Sequence, residues 1–145
     1  MNWLGFLAMA AALADQTPAT TTRTHVDHRG ERYAVDYHAV PHVRHKTVGM
    51  AAPARPSHER CEETLTVLAE RRIHAPNGAA TLRHRLPQTR TWRVSMPGPC
   101  RATPAADAAM ARRSAQVAQF LAQAAAQDQP AALAAIEAAH ALAAR

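Results

Sequence analysis

Five of the nine histidines fall within residues 25–45, in the stretch HVDHRGERYAVDYHAVPHVRH. Imidazoles at that density raise metal binding, which needs three or four donors converging on one point. In a helix, His38, His42 and His45 would stand at i, i+4 and i+7 on one face and could share an ion. Pro41 opposes that helix, because it disfavours helical backbone at Val40 and its ring clashes with the preceding turn. In an extended chain His38 and His42 are ~13 Å apart at ~3.3 Å per residue. His42 and His45 then point to opposite faces. The expectation is a strand carrying solvated or edge-facing histidines, with no metal and no cofactor. His38, His42 and His45 are the candidate ligands only if the segment coils.

The arginines are the second group with chemistry to offer. Formal net charge is +6, and sixteen of the 17 basic residues are arginine, Lys46 being the exception. From Pro104 onward three acids balance three bases, so the whole excess lies earlier in the chain. If Asn77-Gly78 turns a hairpin, Arg72 stands opposite Arg83, and Glu70 opposite Arg85. Arg72, Arg83 and Arg85 would then form a basic surface that attracts phosphates or anionic polymers without sequence preference. Base stacking has Trp92 alone to work with, so no specific nucleic-acid partner is expected. Arginine without lysine, beside abundant alanine, also fits the coding bias of a GC-rich bacterial genome.

Catalytic groupings are missing. Ser57, Ser95 and Ser114 lie in no Gly-x-Ser-x-Gly elbow. Glu62 and Glu63 are adjacent, so in a strand they point to opposite faces and cannot share a substrate. Five glycines supply no phosphate-binding loop. His140 shares a helical stripe with Leu133 and Ile136, which suits a partly buried, hydrogen-bonded histidine. A non-enzymatic protein is expected.

The elements that must position these groups follow from local patterning. Trp3 to Ala14 is an unbroken apolar run of 12 residues, and Ala12-Leu13-Ala14 gives a small-x-small cleavage pattern. The run is shorter than the ~20 residues that span a bilayer. Residues 1–14 therefore read as a signal peptide that leaves no membrane span after cleavage, and polar 15–22 as a flexible segment. Export to the periplasm or medium agrees with the cysteine count of two, since Cys61 and Cys100 permit one disulfide. The partner expected for such a chain is an envelope protein or an anionic envelope polymer.

Residues 23–103 read as an antiparallel β domain of five or six strands. A two-residue turn at Arg29-Gly30 pairs His28 with Glu31, and so on outward to Arg23 with Asp36. That register gathers Val26, Tyr33, Val35 and Tyr37 on one face, and the opposite-charge pairs Asp27–Arg32 and Arg23–Asp36 on the other. A slip of one residue would destroy both patterns. Pro41 suggests a new edge strand over HVRHKTVG. Residues 58–73 fit either a helix capped by Ser57 or a strand alternating Cys61, Leu65, Val67 and Ile73; the strong turn at Asn77-Gly78 favours the strand. TWRVSM alternates Trp92, Val94 and Met96 against Thr91, Arg93 and Ser95. Residues 104–145 read as an alanine-rich helical hairpin: Thr103-Pro104 starts one helix, and Asp128-Gln129-Pro130 restarts a second. The fold class expected is α+β.

Overall fold

The computed structural model describes residues 20–50, 53, 58–78, 80–101 and 106–144. The Trp3–Ala14 run, the Ser57 cap and the Thr103-Pro104 start signal lie outside these residues. Four strands, β1 (Thr21–His28), β2 (Glu31–Val48), β3 (Arg60–His74) and β4 (Thr81–Pro97), form one antiparallel sheet in chain order. A short helix α1 (Ala106–Ala111) and a 30-residue helix α2 (Ser114–Ala143) follow. The architecture is α+β.

The first hairpin has the register its alternation and charges require, from His28↔Glu31 out to Arg23↔Asp36. Its turn places Arg29 at φ 51° and Gly30 at φ 82°. Two successive positive φ values match the right-handed twist of the strands it joins. Val26, Tyr33, Val35 and Tyr37 are all buried on the inner face. The strand begins at Thr21, inside the segment expected to be flexible, because Thr21 and Thr22 continue the ladder against His38 and Tyr37.

Among the described residues the sheet has four strands, where five or six were expected. β2 runs through Pro41 as a single 18-residue strand. The Ala39 N–H donates across to the Thr20 carbonyl at 2.8 Å. Backbone direction alternates along a strand, so the nitrogen of Pro41 also faces the β1 side, beyond where β1 begins. The missing N–H therefore falls past the described end of β1 and removes no ladder bond among the described residues. β4 likewise runs through Pro87, where a register shift opposite Ala69 absorbs the irregularity on an edge strand. β3 settles the ambiguous 58–73 segment as a strand, buried at every second position.

The expected break at Asp128-Gln129-Pro130 is also absent, and α2 is continuous through it. Pro130 leaves the Ala126 carbonyl without its helical partner, a cost of ~3 kcal/mol in isolation. Two terms offset it. The flanking segments are alanine-rich, and the helix is tied down on both sides of the proline. Val117, Phe120, Leu121, Ala124 and Ala125 are buried before it, Ala132 and Ile136 after it. The turn that does exist falls at Arg112-Arg113, between α1 and α2. No helix among the described residues is long and apolar enough to cross a membrane.

Both helices lie on one face of the sheet. α2 packs chiefly on β1 and β2, and α1 on β2 and β3, while neither packs extensively on β4. The core therefore sits between α2 and the first three strands, and β4 leaves apolar groups half-covered. Leu82, Val94 and Met96 retain 44%, 36% and 36% of their exposure. A disulfide joins Cys61 to Cys100 and fixes the end of β4 to the start of β3. The Cys100 N–H donates to the Thr47 hydroxyl at 3.0 Å, which ties β2 into the same corner.

Candidate functional site

Among the described residues, no helix packs on the face of the sheet opposite α1 and α2. Side chains alternate, so the register assigns each outward residue. Arg23, Asp36, Arg72 and Arg83 form one row across the four strands; Thr21, His38, Glu70 and Arg85 form the next. Further along come Thr66 with Thr91, then Arg44, Thr64 and Arg93, then Lys46, Glu62 and Ser95.

Every acid on this face is held by an arginine. Asp36 binds Arg23 at 2.6 Å, Asp27 binds Arg32 at 2.8 Å, Glu70 binds Arg72 at 2.7 Å and Glu62 binds Arg60 at 3.2 Å. The Arg23 hydrogen bond holds the Asp36 carboxyl below the usual carboxylate range, and Arg72 does the same for Glu70. Five cations remain outside these pairs: Arg44, Lys46, Arg83, Arg85 and Arg93, none of which forms an ion pair among the described residues. All five are exposed. They fall in two clusters, Arg83 with Arg85 near one end, and Arg44, Lys46 and Arg93 toward the other. Between them lies a neutral strip bearing hydroxyls, in which Thr66 and Thr91 meet at 3.1 Å between their Oγ1 atoms.

The expected arginines thus share one face, as their register required. Arg72 is drawn into the Glu70 pair, whereas Arg83 and Arg85 are not. Arg44 and Lys46 were missed, although the β2–β3–β4 register puts Arg44 and Arg93 on either side of Thr64.

The histidines do not converge. His38 and His42 are on the open face four residues apart, and His45 points to the other. Burial pushes the His38 imidazole below its ordinary value, helped by the charge of Arg72. No cluster of three or more His, Cys, Asp or Glu able to hold a metal occurs among the described residues.

Two charged networks lie instead under the helices. Glu63, 3% exposed, receives Arg112 at 2.7 and 2.8 Å and His45 Nε2 at 3.1 Å. Burial pushes its carboxyl up, but Arg112 and His45 outweigh burial and the net shift is downward. Arg71 and Asp128 meet at 2.9 Å, each 7% exposed at the side chain, and the Tyr37 hydroxyl donates to Asp128 at 3.1 Å. Burial, then the Asp128 charge, raises the Tyr37 phenol far above its ordinary value. A signal for these groups was present: Glu63 and Arg71 fall in phase with Cys61, Leu65, Val67 and Ile73, so two charges stand on a core stripe. Their partners are distant in sequence and carry no local mark. Each buried carboxylate is neutralised by an arginine, an arrangement that fixes helix to sheet. Compared with known proteins, the chain matches no family model, no curated protein and no solved structure.

Proposed function

We propose that the protein is a small exported, non-enzymatic interaction module whose open sheet face holds an anionic polymer of the bacterial envelope or its surroundings. One observation carries this reading: among the described residues, five exposed cations stand outside any ion pair on a face whose every acid is already neutralised. Fixed cations on a flat scaffold attract a polyanion by counterion release and need no specific pocket. The Cys61–Cys100 bond supports export, since disulfides persist in oxidising compartments. Residues 1–14 then act as the signal.

The reading is tested by calorimetry of the mature protein with polyglutamate and with heparin at rising salt. Saturable binding that weakens steeply with salt is expected. Combined Arg44→Ala, Arg83→Ala, Arg85→Ala and Arg93→Ala substitution should flatten the salt dependence while the fold is kept. No heat with either polymer at low salt would sink the proposal. Intact-mass measurement of the native protein tests export, by the loss of residues 1–14 and the two-dalton deficit of the disulfide.

A further inference from the structure

On the helix-bearing face, where the last turns of α2 overhang the β3–β4 turn, lies a cavity of about 620 Å³. That is within the ~300–1,000 Å³ common for small-molecule sites. Its walls are apolar: Ile73 and Leu82 from the sheet, Pro76 from the turn, and Ile136 and Ala139 from α2. Because the helix does not reach β4, Leu82 keeps 44% of its exposure inside this wall. Apolar surface left wet beside a core is surface that a ligand gains by covering.

Polar groups gather at one end. The Tyr33 hydroxyl donates to Glu31 Oε2 at 2.9 Å and lies 2.6 Å from His140 Nε2. With the phenol proton spent on Glu31, Nε2 of His140 must carry the proton it gives to the phenol oxygen. Both donors are thus consumed, and what the end offers a newcomer is the Glu31 carboxylate. Glu31 is exposed and forms no ion pair among the described residues. A carboxylate held in no ion pair among the described residues, at the rim of an apolar hollow, selects a cation with an apolar body.

We propose that this cavity binds a small apolar amine, its ammonium on Glu31 and its body against Ile73, Leu82 and Ile136. An anionic amphiphile of the same length meets the same walls and an opposing charge. The site is on the other side of the sheet from the cationic face, and neither proposal depends on the other.

The test titrates octylammonium, 1-octanol and octanoate, each below its micelle concentration, into isotopically labelled full-length protein followed by NMR. Octylammonium should give saturable shifts confined to residues around the cavity, and should bind roughly five- to tenfold more tightly than 1-octanol, the range between an exposed ion pair and a charged hydrogen bond. Octanoate should bind weakest. Glu31→Gln should abolish the preference of amine over alcohol while leaving the alcohol affinity unchanged, a ratio that a general loss of folding would not produce. Ala139→Trp should fill the hollow and remove all three. Octanoate binding as well as octylammonium, an unchanged preference in Glu31→Gln, or the absence of saturable shifts overturns the proposal. So does sedimentation showing that a second copy of the chain covers the opening.

Discussion

Removing the carboxylate of Asp128 should be the most damaging single charge deletion in the molecule. Arg71 and Asp128 are each 7% exposed at the side chain, and Arg71 Nη1 contacts both carboxylate oxygens, at 3.0 and 2.9 Å. Nε of Arg71 is buried without a partner even in the intact protein. Asp128→Ala would leave a buried guanidinium with no counter-charge and the Tyr37 hydroxyl with no acceptor. Breaking a buried pair from one side costs ~3–5 kcal/mol. The alanine returns ~0.5 kcal/mol of helix propensity, so a net loss of about 3.5 kcal/mol is expected. For a chain of this length that lowers the Tm by roughly 7–14 °C. Asp27→Ala removes an ion pair of similar geometry whose partners are 70% and 68% exposed, and solvent screening should make its loss far smaller. Replacing the whole group with apolar residues (Arg71→Met, Asp128→Leu, Tyr37→Phe) should recover most of the loss, because no charge is then stranded. Guanidinium chloride unfolding followed by circular dichroism measures all three, with an unchanged m-value as the check on two-state behaviour. If Asp128→Ala and Asp27→Ala fall within 1 kcal/mol of each other, burial is not what sets the strength of this pair.

Three further outcomes are expected. Cys61→Ala with Cys100→Ala opens a loop whose ends are 39 residues apart and should lower the stability by roughly 4 kcal/mol on chain-entropy grounds, read as a shift in the unfolding midpoint. Acid should destabilise the fold through Asp36, Glu63 and Glu70, whose folded carboxyls all titrate below their ordinary range. Their contribution is present above the ordinary carboxylate pKa of ~4 and is lost as pH falls through the lower folded values. Unfolding midpoints between pH 7 and pH 3 should therefore fall less steeply in Glu63→Gln than in the parent, and an equal slope would exclude Glu63 as a contributor. Arg29 occupies φ 51° in the first turn, where asparagine is preferred before glycine, so Arg29→Asn should raise the midpoint by up to ~1 kcal/mol in stability.

The first hairpin was legible in sequence because two independent patterns, apolar alternation and opposite charges across the strands, demand one register. The Asn77-Gly78 hairpin was legible from its turn dipeptide, whose two-residue register also gathers Arg72, Arg83 and Arg85 on one face. Proline misled twice for one reason: its effect depends on where its nitrogen points. Pro41 faces the β1 side past the described end of that strand, and Pro130 is carried within a helix anchored on either side. That geometry belongs to tertiary structure and has no local signature. The same holds for Arg71 with Asp128 and Glu63 with Arg112, whose members are 57 and 49 residues apart. What local sequence displayed was one half of each pair, a charge standing in phase with a core stripe.

The last helix closes over the first hairpin, and this orders events during synthesis. Tyr37 meets Asp128 across 91 residues, and Tyr33 meets His140 across 107. At ~5–20 residues per second, the ribosome takes about 5–20 s after making this hairpin to supply its cover. Throughout that interval Val26, Tyr33, Val35 and Tyr37 have no lid. A nascent chain of this design cannot complete this core before α2 has been made, and over that interval its exposed apolar face is open to a holdase.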